Sequence, residues 1–368
     1  MEEPIRVAQI IGKAIQTGVD TMMMNYYRNI DRNQVQFDFF MDGLEPTIYD
    51  DEIPALGGRI FKLPPYEKNM RDNLRTFREI LQKHPYKIVH SHMNALSVFW
   101  LREAKKAKVP VRIAHSHSTA SRGEGLRVMM KYSLRPLSKM YPTHLAACSQ
   151  HAGTWLFGKN TPAFIIYNAF EVDSFRFDST VRDTVRTELN LTDKYVIGHA
   201  GRFVYQKNHH FLINVFKEVL DYNPQAVLLL IGDGDLRKEA ENQTKALEIS
   251  DSVVFLGTRK DMHLMYQAMD VFALPSNFEG LGMVAVEAQV SGLPCFLSEA
   301  VPREAGLVKQ VTFLPLKIQD WAAQIIALKP DGLSEQRNNP LVIDNFDIQQ
   351  AAPRLCEYYK TTIKEVTK

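Results

Sequence analysis

Cysteine is scarce in this chain, with three in 368 residues, and Cys148, Cys295 and Cys356 show no Cys-x-x-Cys spacing. An odd, scattered set excludes a disulfide scaffold, a zinc ribbon and a thioredoxin-type redox pair, and predicts reduced, structural thiols. Long apolar runs are missing as well. The longest, 226–231, falls far short of the ~20 residues that cross a bilayer. The opening Met1-Glu-Glu-Pro is acidic where a secretory signal is basic and then apolar, so the expected location is the cytoplasm. Low-complexity stretches and short-period repeats are absent. Net charge is only +2, but it is unevenly placed. Residues 60–140 hold 17 Lys or Arg against 5 Asp or Glu, which leaves the remainder acidic. Such a segment suits anionic lipid, a phosphorylated substrate or nucleic acid. With no zinc finger or RNP motif beside it, nucleic acid is not expected as a partner.

The chain is long enough for two domains with separate cores. Short apolar strands alternate with helical spacing from end to end, the pattern of parallel α/β sheets. The first strand, 5–11, runs into Gly12 and a turn at Thr17-Gly18-Val19-Asp20 that opens a helix to about Ile30. Strands follow over 34–41 and 59–63. Residues 66–83 place Leu74, Phe77, Ile80 and Leu81 at helical spacing with bases opposite, which reads either as an ordinary surface helix or as one that docks on an anionic membrane. Two short strands then end in His90-Ser-His92 and His115-Ser-His117, and in an open parallel sheet ligands bind beyond such strand ends. Residues i and i+2 share a face, so the pairs could bind metal, although no carboxylate or Cys is spaced to complete a site. The polar loop 118–125 has two glycines and reads as mobile; a helix over 126–140 follows.

In the second half the strand 195–200 ends in Gly201-Arg202 and, five residues on, Lys207-Asn208. Two cations at a strand end can grip phosphate, Arg through paired donors and Lys as a point charge. The strand 226–231 ends in Gly232-Asp-Gly-Asp235, and 253–256 runs into Gly257-Thr-Arg259-Lys-Asp261. The stretch around which the rest is organised is Pro275-Ser-Asn-Phe-Glu279-Gly280-Leu281-Gly282, followed by helical spacing over 281–290. The two glycines let backbone approach a ligand, and the new helix's amides favour an anion. Glu279 lies on the loop and Glu287 about six residues into the helix, roughly 9 Å along its axis. Two carboxylates in an anion-loving place read either as a merely acidic first turn or as acceptors for hydroxyls at the two ends of an extended ligand, sugar and ribose, with a diphosphate between.

These residues resemble the E-x7-E signature of the retaining family 4 glycosyltransferases of the GT-B fold, and the sequence near the His-Ser-His pairs with Asn25-Tyr-Tyr-Arg28 resembles bacterial exopolysaccharide and capsule enzymes among them. Gly201-Arg202 with Lys207-Asn208 matches their G-R-x5-K-N motif, and 270–294 matches the flanking pattern. The resemblance implies an α/β fold of two Rossmann-like doubly wound domains facing a cleft. The domains would be 1–170 with a crossover helix at 347–368, and 171–346, with a hinge at Asn168–Asp173. It implies that Arg202 and Lys207 bind the donor diphosphate, Glu279 the donor sugar and Glu287 the ribose, with Gly232, Arg259, Gly280, Leu281 and Gly282 in the donor pocket. Gly18 stands in a partial match to G-G-x-E, where Thr17 replaces a glycine and Asp20 the acid. An active-site histidine falls on His117, or on His115 under a two-residue shift, and loop 118–125 would help receive the acceptor. Arg202, Lys207, Glu279 and His117 form the expected catalytic set. The implied reaction moves a hexose or N-acetylhexosamine from a nucleotide sugar, most simply a UDP-sugar, to a saccharide hydroxyl, with retention and with no metal or other cofactor. The Asp-Gly-Asp at 233–235 is accordingly not taken as a metal-binding D-x-D. A lipid-linked acceptor and an anionic membrane surface at the inner face of the plasma membrane fit the basic segment. Rival readings are a UDP-sugar epimerase of the same fold, a non-catalytic nucleotide-sugar-binding protein, and a sucrose- or trehalose-type synthase.

Overall fold

The computed structural model describes residues 3–13, 18–117, 126–328, 337 and 343–367. They divide into two compact units, one built from residues up to 171 together with those from 343 onward, the other from the residues between.

In the first unit β1 (Ile5–Ile11), β2 (Val35–Asp42), β3 (Arg59–Leu63), β4 (Ile88–Ser91), β5 (Val111–Ser116), β6 (His144–Ala147) and β7 (Phe164–Ile165) form a seven-stranded sheet in the order β3-β2-β1-β4-β5-β6-β7. Every pairing is parallel. A parallel sheet is covered on both faces, which is why strands such as IRVAQII are apolar nearly throughout. Alternate residues feed two cores. Val7, Phe37, Phe39, Ile88 and Ile113 pack beneath the helices Gly18–Asn29 and Ile348–Thr367. Ala8, Phe40, Val89 and Ala114 pack beneath Tyr66–Lys83 and Ser97–Lys106 through Phe77, Leu81, Trp100 and Leu101. Chain order reverses between β1 and β4, the topological switch point of the sheet.

The C-terminal helix belongs to this unit. Ile348, Ala351, Ala352, Leu355, Cys356 and Tyr359 recur at helical spacing and are all buried in the first of the two cores. Its entry is pinned by the Phe170 amide on the Phe346 carbonyl and the Ile348 amide on the Phe170 carbonyl, both near 3 Å. One expectation needs correction: the helix over 126–140 stops at Leu134 and continues as a 3₁₀ turn, Arg135–Lys139, with Pro136 near its start. Proline lacks the amide that would extend the α-helical ladder.

The second unit has β8 (Tyr195–Ala200), β9 (Ala226–Ile231), β10 (Val253–Gly257), β11 (Val271–Leu274), β12 (Cys295–Ser298) and β13 (Val311–Leu314), ordered β10-β9-β8-β11-β12-β13. All five pairings are parallel and the switch point lies between β8 and β11. One face is covered by His209–Tyr222 and Ile318–Ala327 through Leu212, Phe216, Trp321 and Ile325. Elsewhere the unit is held by buried polar groups. Asp270 accepts from Arg182, from Arg186 and from the Val196 amide at 2.8 Å. Arg337, 3% exposed, donates to the carbonyls of Ser291, Met269 and Tyr266 at 2.8 to 2.9 Å. Gly292 sits at φ +73°, and a Cβ there would come within 2.7 Å of Arg337 backbone, so Ser-Gly-Leu-Pro needs its glycine twice over. Among the described residues no helix is long and apolar enough to cross a membrane, and the three cysteines are buried and form no disulfide.

Asp270→Ala leaves two guanidinium groups facing each other in a dry site. It is expected to cost about 3–5 kcal/mol, read as a lowered urea midpoint for the second unit.

Candidate active site

The second unit's candidate residues gather where β8 and β11 part. β8 leaves into Gly201-Arg202, a 3₁₀ turn at Tyr205–Lys207, and the helix that starts at His209 behind Asn208, itself left-handed at φ +55°. The Lys207 stem lies across Gly201, where a Cβ would meet its Cδ at 2.9 Å. Lys207 Nζ then reaches Glu279 Oε1 at 2.6 Å. Ser276 Oγ donates to the same oxygen at 2.8 Å and Gln206 Nε2 to Oε2 at 2.9 Å, so the buried carboxylate is held by three donors. The two loops are also laced by Asn277, whose amide donates to the Gln206 carbonyl and whose side chain donates to the Tyr205 carbonyl. Arg202 is exposed, and its guanidinium makes no hydrogen bond or ion pair among the described residues. Gly232, at φ +134°, packs backbone to backbone on Gly201; a Cβ would fall 2.2 Å from the Gly201 carbonyl oxygen. The carboxylate of Asp233 accepts from the Gly234 amide and faces Arg237 at 3.6 Å, and Asp233 and Asp235 are both exposed.

Gly282 caps the following helix at φ +91°, so the helix begins at Met283 rather than at 281. Glu287 is therefore four residues past its start, about 6 Å along the axis instead of 9 Å. Gly280, Leu281 and Gly282 are buried, and the Leu281 side chain is a core contact, which leaves backbone as what that loop can offer a ligand. Glu287 is half-buried and accepts from the Tyr266 hydroxyl at 2.8 Å. Burial raises its carboxyl above the usual range, against a downward pull from that hydrogen bond and from Lys207. Arg259 is not drawn into this group. It pairs with Asp261 at 2.6 Å on the loop after the edge strand β10.

In the first unit, strand parity places Gln9, His90, His92, His115 and His117 on the face beneath the C-terminal helix. Gln9 is in register with His90, and His90 with Ile113, two residues before His115. Both His-x-His pairs thus fall side by side. His90 Nε2 lies 3.1 Å from His115 Nδ1, and His92 Nδ1 lies 2.8 Å from His117 Nε2. His90 Nδ1 meets the Tyr359 hydroxyl at 2.8 Å and His92 Nε2 meets Gln9 Oε1 at 2.9 Å. Burial holds all four imidazoles neutral, His117 with its pKa lowered to about 3 and the others well below the usual value. His90, His92 and His115 each bring a ring nitrogen within 4.8 Å of the other two, a set that could hold a metal, though hydrogen bonds already engage these rings. Beside the cluster, at the β1/β4 switch point, a cavity of about 820 Å³ is lined by Gly12, Lys13, Met70, His92, Asn94 and Met130. Gly18 is the exposed first residue of its helix, with open space around the position of a Cβ. Thr17 and the loop 118–125 lie outside the described residues.

Sequence reasoning missed Gln206, Ser276, Tyr266, Gln9 and Tyr359. Only Gln9 carried a signal, a lone amide inside an apolar strand.

Two family models match: Glycosyltransferase Family 4 over residues 17–174 and Glycosyl transferases group 1 over 181–339. A Bacillus subtilis protein named as the glycosyltransferase EpsF is 32% identical over 98% of this chain and 97% of its own length. The chain belongs to the family 4 glycosyltransferases. A second relative is the Escherichia coli UDP-Gal:alpha-D-GlcNAc-diphosphoundecaprenol alpha-1,3-galactosyltransferase, 24% identical over 80% of this chain and 79% of its own. Among solved structures, Anabaena HepE in complex with UDP and glucose superposes with a TM-score of 0.80 at 19% identity, covering 97% of this chain and all of that one. That likeness establishes the GT-B fold of this glycosyltransferase.

A folded-state pKa raised above the unfolded one means that the native protein binds this proton more tightly. The burial cost of ionised Glu287 is then absent at low pH and appears as pH rises through the unfolded value. Glu287→Gln is expected to raise the thermal midpoint at pH 8 and leave it unchanged near pH 4. Calorimetric scans at the two pH values check this.

Proposed function

We propose that this glycosyltransferase moves a hexose or N-acetylhexosamine from a UDP-sugar to a hydroxyl of a lipid-linked saccharide, in polysaccharide biosynthesis, with retention and without a divalent ion. The observation that carries the reading is the Lys207–Glu279 pair beside the unpaired Arg202 at the β8/β11 switch point. Expelling a nucleoside diphosphate requires positive charge that tightens as the bond breaks. Arg202, Lys207 and the helix start behind Gly282 supply it, and Gly201 and Gly232 allow backbone to close on the diphosphate. When phosphate oxygens claim Lys207, Glu279 stays positioned by Gln206 and Ser276 and turns its oxygens to sugar hydroxyls. Glu287, oriented by Tyr266, accepts from the ribose. Retention is read as front-face attack, the departing phosphate oxygen taking the acceptor's proton.

On the first unit, His117 contacts a sugar hydroxyl and the 820 Å³ cavity receives the acceptor. The lipid carrier is supported by the E. coli relative's named substrate and by the basic segment 60–140. It is also supported by Met129 and Met140, 69% and 55% exposed, set among Lys131, Arg135 and Lys139. Such a surface suits the inner face of an anionic membrane, with the protein cytoplasmic and peripheral.

UDP-, GDP- and ADP-sugars titrated in EDTA, followed by product analysis on a polyprenyl-diphosphate-linked sugar, test the proposal. A UDP-sugar should give the largest thermal shift, transfer should persist in EDTA, and NMR of the product should show the donor's anomeric configuration. Lys207→Ala should lower kcat/KM by about 10²–10³. Donor epimerised with no acceptor present, or transfer abolished by EDTA, would sink the reading.

A further inference from the structure

The buried histidines of the first unit form a hydrogen-bonded chain whose direction can be worked out. Six of their eight ring nitrogens are partnered, and the other two, His115 Nε2 and His117 Nδ1, are buried with no partner among the described residues. The two arms meet at Gln9, whose Nε2 donates to the Tyr359 hydroxyl at 3.0 Å and whose Oε1 faces His92 Nε2 at 2.9 Å. A phenol that accepts from Gln9 has its own proton for His90 Nδ1, so His90 carries its hydrogen on Nε2 and gives it to His115 Nδ1; His115 then keeps Nε2–H. On the other arm Gln9 Oε1 can only accept, so His92 carries Nε2–H, its Nδ1 accepts from His117 Nε2–H, and His117 Nδ1 is left as a bare lone pair. Each link has one donor and one acceptor. Turning the Gln9 amide by 180° reverses every link and puts all four hydrogens on Nδ1. The orientation present matches the tautomer that neutral histidine prefers in water, at all four rings at once.

We propose that Gln9, working with Tyr359 on the C-terminal helix, is a positioning residue that fixes the tautomers of the histidine cluster, so that His117 keeps an unprotonated, accepting Nδ1 and His115 an Nε2–H donor. The consequence for catalysis rests on the reading of His117 as a sugar-hydroxyl contact. The tautomers themselves do not.

Protein labelled with ¹⁵N at histidine, free of substrates and dialysed against EDTA, gives the tautomers from long-range proton–nitrogen correlations. All four cluster rings should be Nε2–H. In Gln9→Leu, His92 and His117 should show both tautomers, and Gln9→Glu, whose ionised carboxylate can only accept from His92, should restore Nε2–H at both. Nδ1–H at any of the four wild-type rings overturns the proposal, as do spectra that change when EDTA is added to protein as purified, or a Gln9→Leu spectrum identical to wild type. With a confirmed donor and acceptor, Gln9→Leu should lower kcat about tenfold at an unchanged donor KM, with recovery in Gln9→Glu. If the tautomers behave as stated while kcat holds, the role given to His117 fails and the positioning by Gln9 stands.

Discussion

The ion pair from Lys207 to Glu279 joins the loop that leaves β8 to the loop that leaves β11, and the candidate site of the second unit is organised around it. At a switch point the crossovers run in opposite directions, so the two loops diverge and nothing in the sheet itself holds them together. A buried carboxylate is tolerable only when its lone pairs are used. Lys207, Ser276 and Gln206 use them, and in doing so set the spacing of the loops. The glycines follow from the same arrangement, since Gly201 makes way for the Lys207 stem and Gly232 for the Gly201 carbonyl. Cβ atoms at either place would push apart the groups that the ion pair draws together.

The first sheet has the same kind of switch point and fills it with different chemistry. Where the second unit sets charge against charge, the first sets four neutral imidazoles in a hydrogen-bonded chain that runs through an amide and a phenol. A charged group there would have no partner to offset its desolvation, whereas neutral rings that donate and accept in sequence cost little to bury. The contrast sets ion pairing at one switch point against neutral hydrogen bonding at the other. It also explains why the C-terminal helix returns to the first unit: Tyr359 closes the histidine chain while Leu355 and Ile348 complete the core around it.

Local patterns determined much of this glycosyltransferase. Strands such as Tyr195–Ala200 and Ala226–Ile231 are apolar runs bounded by glycine, and their ends can be read directly because period and punctuation agree. The motif residues at 202, 207 and 279 were visible as charges in loops at strand ends, and 287 as a carboxylate within a mostly apolar helix. The Cys count and the basic segment were likewise legible, because each depends on composition alone. Tertiary structure decided what those residues touch. That Glu279 is held by Lys207, Gln206 and Ser276, that Arg259 turns to Asp261, and that Gln9 and Tyr359, 350 positions apart, share a hydrogen bond all depend on which strands lie side by side. Strand order and left-handed turns such as Gly282 come from packing of the whole unit, and packing brings together residues that no local period relates.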